Sequence, residues 1–400
     1  MKVNLIATTA AALAALMPLS AFADDNSDDD SNSSSTTLSS DYNPIPSSVQ
    51  MLNIAPEARG SAMGDAGVAS TPDINSQYWN PAKYIRMDSK CGASLSVTPW
   101  LRNIISDINL FSLMGYYKIN ERNCVSMSIR YFSLGDLVFY NDEGGEEGTY
   151  KPNEFSIDAA YSLALSKYFS GAIALRYIHS DLGFQFNDDG YSKGNAFAAD
   201  IAFYFKHPLR LRGHKADIMA GIDLSNIGSK ISYDDGVTND YLPANLRLGA
   251  GFWYEIDKYN KIGAALDFNK LMVPTPSYRD NADYESRQEY YNQSVIASIF
   301  KSFADGKNAR EEFQEVDICA GVEYTYNNMF SARFGYHNNP ENKGNLKYCT
   351  AGLGVKYQMI DVSASYIFAV GDANHNTALA NTVRITLGFD IARVMKSSRR

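Results

Sequence analysis

The amino-acid sequence predicts an all-β fold: a 14-stranded antiparallel transmembrane β-barrel closed around an N-terminal hatch. Three observations carry that reading. From residue 90 to 392 the dominant hydropathy period is two, over segments longer than the roughly 9 to 11 residues that cross a bilayer at a tilt. The connections between these segments alternate between tight and long, as in outer-membrane barrels. The chain opens with an export signal, and past it no run approaches the roughly 18 apolar residues of a membrane helix. Any membrane span must therefore be built from strands.

Taken in order, residues 1–23 read as a signal peptide. Lys2 precedes an apolar run from Leu5 to Leu19, and Ala21-Phe22-Ala23 supplies small residues for cleavage after Ala23. The competing reading, a buried N-terminal helix, would need a cap and a loop where an acidic tract follows instead. That tract, 24–41, holds Asp24, Asp25, Asp28, Asp29, Asp30 and Asp41 among Ser, Asn and Thr, and is expected to be a disordered tether. With Lys+Arg 36 against Asp+Glu 45 the formal net charge is -9, much of it in the tract. The folded part is nearly balanced, which argues against a nucleic-acid partner. Hydrophobic residues at 45% and charged residues at 20% exclude wholesale disorder. Tyr 27 and Phe 20 against Trp 3 suit many amphipathic strands or an interface.

Residues 42–89 do not alternate and are read as the hatch. Pro56 to Gly64 and Asp65 to Ala69 are rich in small residues, which permit close backbone approach inside a barrel. Asp73 to Ala82 suggests a short helix ending before Pro81. A periplasmic cap or linker is the alternative for the whole segment.

Residues 90–392 are read as fourteen strands: 91–99, 108–119, 122–134, 153–166, 169–182, 195–206, 214–227, 243–257, 259–271, 312–326, 328–338, 346–358, 359–371 and 380–392. Val383, Ile385, Leu387, Phe389 and Ile391 against Thr382, Arg384, Thr386, Gly388 and Asp390 show the pattern. Opposite the apolar face fall Arg130, Asp158, Arg176, Asp200, Asp223, Arg247, Asp317, Glu323, Asp361, Arg384 and Asp390. A polar lumen accommodates such a mixture. A soluble sandwich would alternate too, but its strands average about 5 to 6 residues. Tight turns are expected near Asn120-Glu121, Lys167-Tyr168, Lys258, Asn327 and Gln358, with 206–213 somewhat longer; the longest loops are 135–152, 183–194, 228–242 and 272–311. Residues 393–400 form a basic tail.

Parity sorts the four cysteines, with Cys91 and Cys349 on the lipid side and Cys124 and Cys319 on the lumen side, neither pair on neighbouring strands. Bridging needs Cα atoms within about 7 Å, so no intrachain disulfide is expected. No metal-ligand spacing, nucleophile elbow or phosphate loop occurs, and no cofactor or catalytic residue is expected. A lipid hydrolase would need a Ser or Asp near a His on the outer rim, where His179 beside Ser180 is the one poor candidate.

A resemblance adds to this. Asn53-Ile54-Ala55-Pro56-Glu57-Ala58-Arg59, Met63-Gly64-Asp65-Ala66-Gly67-Val68-Ala69 and Gln77-Tyr78-Trp79-Asn80-Pro81-Ala82-Lys83 resemble the N-terminal signature of the PorV family of the Bacteroidetes type IX (Por) secretion system. The architecture is also similar to the long-chain fatty-acid transporter barrels, whose hatch carries an element like Asn80-Pro81-Ala82. The resemblance implies a non-enzymatic outer-membrane shuttle. It would receive cargo bearing a C-terminal secretion domain from the translocon barrel and carry it to the cell-surface attachment complex. Two departures stand: the tract 24–41 lies outside the signature, and the chain ends at Arg400 rather than at an aromatic residue.

If the N-terminus starts in the periplasm, parity puts the long loops outside. Candidate partner-binding residues there are Phe139 and Tyr140, Tyr278, Tyr284 and Tyr290, and an apolar stripe of Val295, Ile296, Ile299, Phe300 and Phe303 on a short helix over 293–304. The aromatics fit a membrane girdle equally, and the stripe fits a lid over the barrel mouth. The runner-up function is an outer-membrane transporter of long-chain fatty acids or other hydrophobic solutes, which would need an apolar path through the lumen.

Overall fold

The computed structural model describes residues 43–101, 107–140, 145–182, 192–276, 289–370 and 381–391, apart from 235, 237 and 307. The signal peptide, the acidic tract, the basic tail, Tyr278 and Tyr284 lie outside the described residues. In chain order the strands are β1 (Cys91–Pro99), β2 (Asn109–Lys118), β3 (Asn123–Ser133), β4 (Leu137–Tyr140) and β5 (Glu146–Tyr150). There follow β6 (Asn153–Ala164), β7 (Phe169–Asp181), β8 (Gly194–Leu211), β9 (His214–Gly228), β10 (Asn245–Glu255) and β11 (Asn260–Leu271). The last five are β12 (Val316–Tyr326), β13 (Phe330–Asn338), β14 (Lys347–Tyr357), β15 (Ile360–Ala369) and β16 (Val383–Phe389). All but β4 and β5 join one closed antiparallel barrel of fourteen strands, sealed where β1 pairs with β16. Closure leaves no edge strand in the wall.

Period two produces this wall directly. Along β3 exposed Val125, Met127, Ile129 and Tyr131 alternate with buried Cys124, Ser126, Ser128 and Arg130. The same order of apolar outside and polar inside runs around the barrel, and nine of the eleven expected inward charges are buried, with Asp317 and Asp361 half-buried. Exposed Phe111, Tyr131 and Phe368 band one rim, and Tyr117, Tyr259, Tyr326 and Tyr357 the other, the aromatic girdles of a membrane barrel. The four cysteines are free, Cys124 and Cys319 facing in and fully buried.

The tight turns have local causes. Asn120 Oδ1 accepts the Arg122 and Asn123 N–H groups, and Asp257 Oδ1 those of Tyr259 and Asn260, side chains standing in for a backbone turn. Three expectations need correction. The sixth barrel strand runs past residue 206 to Leu211, because its partner β9 continues while β7 has ended at Phe169. Pro208, which lacks an N–H, is tolerated there because β8 has no partner on its β7 side past Phe205. The tenth begins at Val316, not 312, because Ala309–Gln314 is helical, capped by the Asn308 side chain on Glu311 N at 3.0 Å. Loop 135–152 contains the hairpin β4–β5.

Residues 43–90 cross the barrel interior from one rim to the other. Asn43 N bonds Asn342 O at 2.7 Å and Ser48 N bonds Tyr241 O at 2.9 Å, both at the long-loop rim. Arg86 donates to the Lys167 and Ser166 carbonyls of a tight turn, and β1 begins beside it. The premise that the chain starts at the short-turn side is therefore corrected: β1 does, but Asn43 does not.

Candidate functional site

Two zones concentrate the polar and exposed apolar residues singled out by the sequence. The first is the contact between the inner segment and the wall. The helix Ala58–Ser61 is capped by Glu57, whose carboxylate accepts Gly60 N at 2.6 Å and Arg59 N at 2.5 Å and also Trp79 Nε1 at 2.8 Å. The expected helix before Pro81 spans Ser76–Trp79; Asn80 then accepts Ala82 N and opens a 3₁₀ stretch, Pro81–Arg86. The Trp79 ring lies between Gly60 and Gly67, where any Cβ would stand 2.5 and 2.2 Å from it. That contact requires glycine on both sides.

Arg59 is the strongest tie to the wall. Its guanidinium donates to both Glu323 oxygens at 3.0 Å, to Asp73 Oδ2 at 2.6 Å, and to Thr71 O and Oγ1 at 2.9 and 2.5 Å. Five donors meet five acceptors, the full capacity of the group. Glu323 is held in turn by Arg333 Nε at 2.6 Å. Around the wall, Asp267 accepts Gly67 N and Val68 N at 2.6 and 2.8 Å, Tyr348 donates to Asp65 at 2.5 Å, and Gln77 donates to Asp158 at 2.6 Å. Arg247 donates to Tyr78 O and lies 4.7 Å from the Tyr78 ring centre; Asn80 donates to Phe203 O; and Arg384 donates to Ala55 O. Asp158 and Asp200 also pair with Arg176. Charges read from the strands as lumen polarity thus bind the inner segment and one another.

Every residue of the N-terminal signature sits in this contact. Pro56, Met63, Gly64, Gly67, Tyr78, Trp79, Asn80 and Pro81 are buried and Asn53, Arg59 and Asp65 half-buried. Gly64 and Asp65 take φ of 68° and 63°. The sequence reading missed the other side of the contact, the inward glycines of the wall. A Cβ at Gly335 would lie 2.0 Å from Gly64 N, so the wall is bare backbone where the inner segment presses on it. Glycine on the inward parity of a strand was the available signal.

The second zone is the long-loop crown. Phe139 and Tyr140 lie on β4 of the loop hairpin. Tyr290 is buried with Tyr241 and Val273, its hydroxyl on Pro274 O at 3.0 Å, so it packs the crown rather than offering a surface. The apolar stripe does form a helix, Val295–Lys301, with Val295 and Ile299 half-buried and Ile296, Phe300 and Phe303 exposed. Asp305, Glu312 and Glu315 converge to within carboxylate contact, but Lys270 and Lys343 already pair with Glu315, and the group is an ion-pair network. Burial, then Glu315 and Glu312, pushes the Asp305 carboxyl up to about 6 against the opposing Thr275 N–H and the Lys270 charge.

The hydrolase candidate dissolves. His179 and Ser180 are consecutive on β7 and point to opposite faces: His179 meets Asn195 outside, Ser180 meets Glu154 inside. The structure does bring Cys319 Sγ to 3.2 Å from His337 Nδ1 across β12 and β13. The His337 ring in turn stacks on Tyr348, with ring centres 4.6 Å apart.

The family described as Type IX secretion system protein PorV matches residues 37–278, more than half of the chain and all of the inner segment. The chain belongs to the PorV family. It is an integral outer-membrane β-barrel of the type IX secretion system, in a family of secretion components rather than enzymes. Among curated proteins none matches. Similar solved structures include the toluene transporter TodX of Pseudomonas putida, at 9% identity over 84% of this chain and 96% of that one, TM-score 0.46. A Pseudomonas aeruginosa FadL homologue matches at 10% identity over 84% and 99%, TM-score 0.41. The monoaromatic hydrocarbon channel CymD matches at 11% over 84% and 96%, TM-score 0.41.

Proposed function

We propose that the protein receives cargo bearing a C-terminal secretion domain from the type IX translocon barrel and hands it to the cell-surface attachment complex, with its long loops outside the cell. The family match over residues 37–278 carries the reading. In this reading residues 42–89 act as a permanent hatch, and the crown, bearing Phe139 and Tyr140 on the β4–β5 hairpin, meets the partners.

The interior supports a sealed shuttle over a hydrophobic-solute transporter. A transporter needs an apolar path, whereas the described lumen presents Arg130, Asp158, Arg176, Arg247, Glu323 and Arg384 to the hatch. The cavity beside Arg59 and Glu323 holds about 10 Å³ of water-accessible space, no more than the roughly 10 to 15 Å³ that a single water needs.

The test is a pull-down of the mature protein from solubilised outer membrane with mass spectrometry, beside a deletion strain scored for secretion. Recovery of a very large translocon barrel and of surface proteins sharing a C-terminal domain, with secretion lost on deletion, is expected. Intact secretion with impaired fatty-acid uptake would move the function to transport.

A further inference from the structure

The loop between β11 and β12 carries a helix whose amphipathy is inverted. Within Val295–Lys301 the polar face is the covered one: Ser298 is buried, its hydroxyl 2.7 Å from that of Tyr241, and Ser302 just beyond is fully buried. Ile296 and Phe300, one turn apart, stand 69% and 74% exposed; Phe303 is 44% exposed and Phe313, on the next helix, 79%. A loop folded against water would present these faces the other way round.

Lys270 locates the patch on the wall. It follows Phe268 by two residues on β11, at an outward position paired with Val316, yet only 9% of its side chain is exposed. The loop covers it. The Phe303 ring centre lies 5.5 Å from Nζ, Glu312 lies 3.6 Å away, and Glu315 accepts its hydrogen bond. Phe303, Glu312 and Glu315 therefore lie over the outer side of the rim. The loop's exposed apolar groups continue the lipid-facing band, whose nearest members, Phe268 and Ile318, are paired side by side below them.

We infer that this loop is a skirt resting in the lipid leaflet at that rim, with Ile296, Phe300, Phe303 and Phe313 at the headgroup and acyl boundary. Continuity with the membrane-facing wall selects lipid as the occupant. Exposed Lys301 and Arg310 flank the apolar residues, where long cationic side chains reach anionic headgroups. A barrel anchored on one flank in this way meets its partners from the opposite flank of the crown. The inference rests on the membrane location of the barrel and not on which face of the membrane the loops occupy.

The test uses the full-length protein in nanodiscs of anionic phospholipid containing no other protein. An NBD fluorophore is placed by F300C or F313C in a C91A/C349A background; Cys124 and Cys319 are buried. Both positions are exposed, so the substitutions leave packing intact, and heat-modifiable gel mobility checks the barrel. Brominated acyl chains should quench both probes, as they quench an L248C control on the wall. Iodide quenching should be at least about fivefold weaker than at a K151C control, since a group in the interface is shielded from water. Iodide quenching within about twofold of the K151C value, with no effect of brominated lipid, would overturn the inference and leave the patch for a protein partner.

Discussion

Replacing Arg59 with alanine removes the group that joins the hatch to β12. The substitution deletes five hydrogen bonds at once, three of them to the carboxylates of Glu323 and Asp73. Breaking one partner out of a buried ion pair costs roughly 3 to 5 kcal/mol, chiefly because the opposite charge is left uncompensated. Here Glu323 keeps Arg333 and Asp73 keeps the Ser76 hydroxyl, so about 3 kcal/mol is the working figure. At about 1.4 kcal/mol per decade, amides of the hatch that exchange by local opening should lose protection by roughly 100-fold. Hydrogen exchange on the protein in nanodiscs reads this at Ala62, Gly67 and Val68. Barrel amides such as those of Met127 and Ile129 serve as internal controls. Arg59→Lys should recover only part of the loss, since an ammonium cannot form the paired bonds to Glu323. Hatch exchange accelerated less than tenfold, or barrel amides accelerated equally, would refute the idea that Arg59 fastens one element to another.

Gly335→Val should wedge the hatch from the wall, because even the first carbon would stand 2.0 Å from Gly64 N; overpacking of this kind costs about 1 to 3 kcal/mol, and a raised single-channel conductance in planar bilayers would report it. The crown should be pH-dependent. The Asp305 carboxyl titrates near 6, above its ordinary 3.8, so the folded loop binds more protons than the opened one. Loop stability is then greatest at low pH, falls as pH rises through 4 to 6, and is flat above; exchange at residues 302–306, corrected for intrinsic rate, should show that slope, and Asp305→Asn should abolish it. Finally, epitope tags inserted just ahead of Asn43 and at Gly236 should both bind antibody on intact cells, while one at the exposed Gly213 turn should bind only after permeabilisation. Labelling of the Gly213 tag alone on intact cells would reverse the orientation.

Most of the barrel was legible because the membrane imposes one rule on every strand. Val125, Met127 and Ile129 must face lipid and Ser126, Ser128 and Arg130 the interior, so period two marks both identity and orientation. What escaped were places where a second rule competed. Lys206-His207-Pro208 reads as a turn, and only the length of β9 keeps β8 extended to Leu211. Glu312 to Gln314 reads as the start of a strand, yet Asn308 caps Ala309–Gln314 as a helix. Gly335 has no side chain to contribute to any pattern, and its role depends on Gly64, far away in sequence.

The hatch shows the same limit from the other side. Its residues carried a recognisable signature, but their partners could not be read from spacing, because each lies on a different strand: Thr386 for Ala58, Glu323 for Arg59, Thr350 for Gly64, Asp267 for Gly67 and Asp158 for Gln77. These contacts explain why the segment looks as it does. Backbone N–H groups that cannot join a ladder are met by inward side chains, small residues let the chain approach bare wall, and one arginine closes the charge balance. None of the signature residues is left free for cargo by this arrangement. The signature therefore reports how the inner segment is fastened to the barrel wall. Recognition must be sought on the crown, on the flank that carries the β4–β5 hairpin with Phe139 and Tyr140.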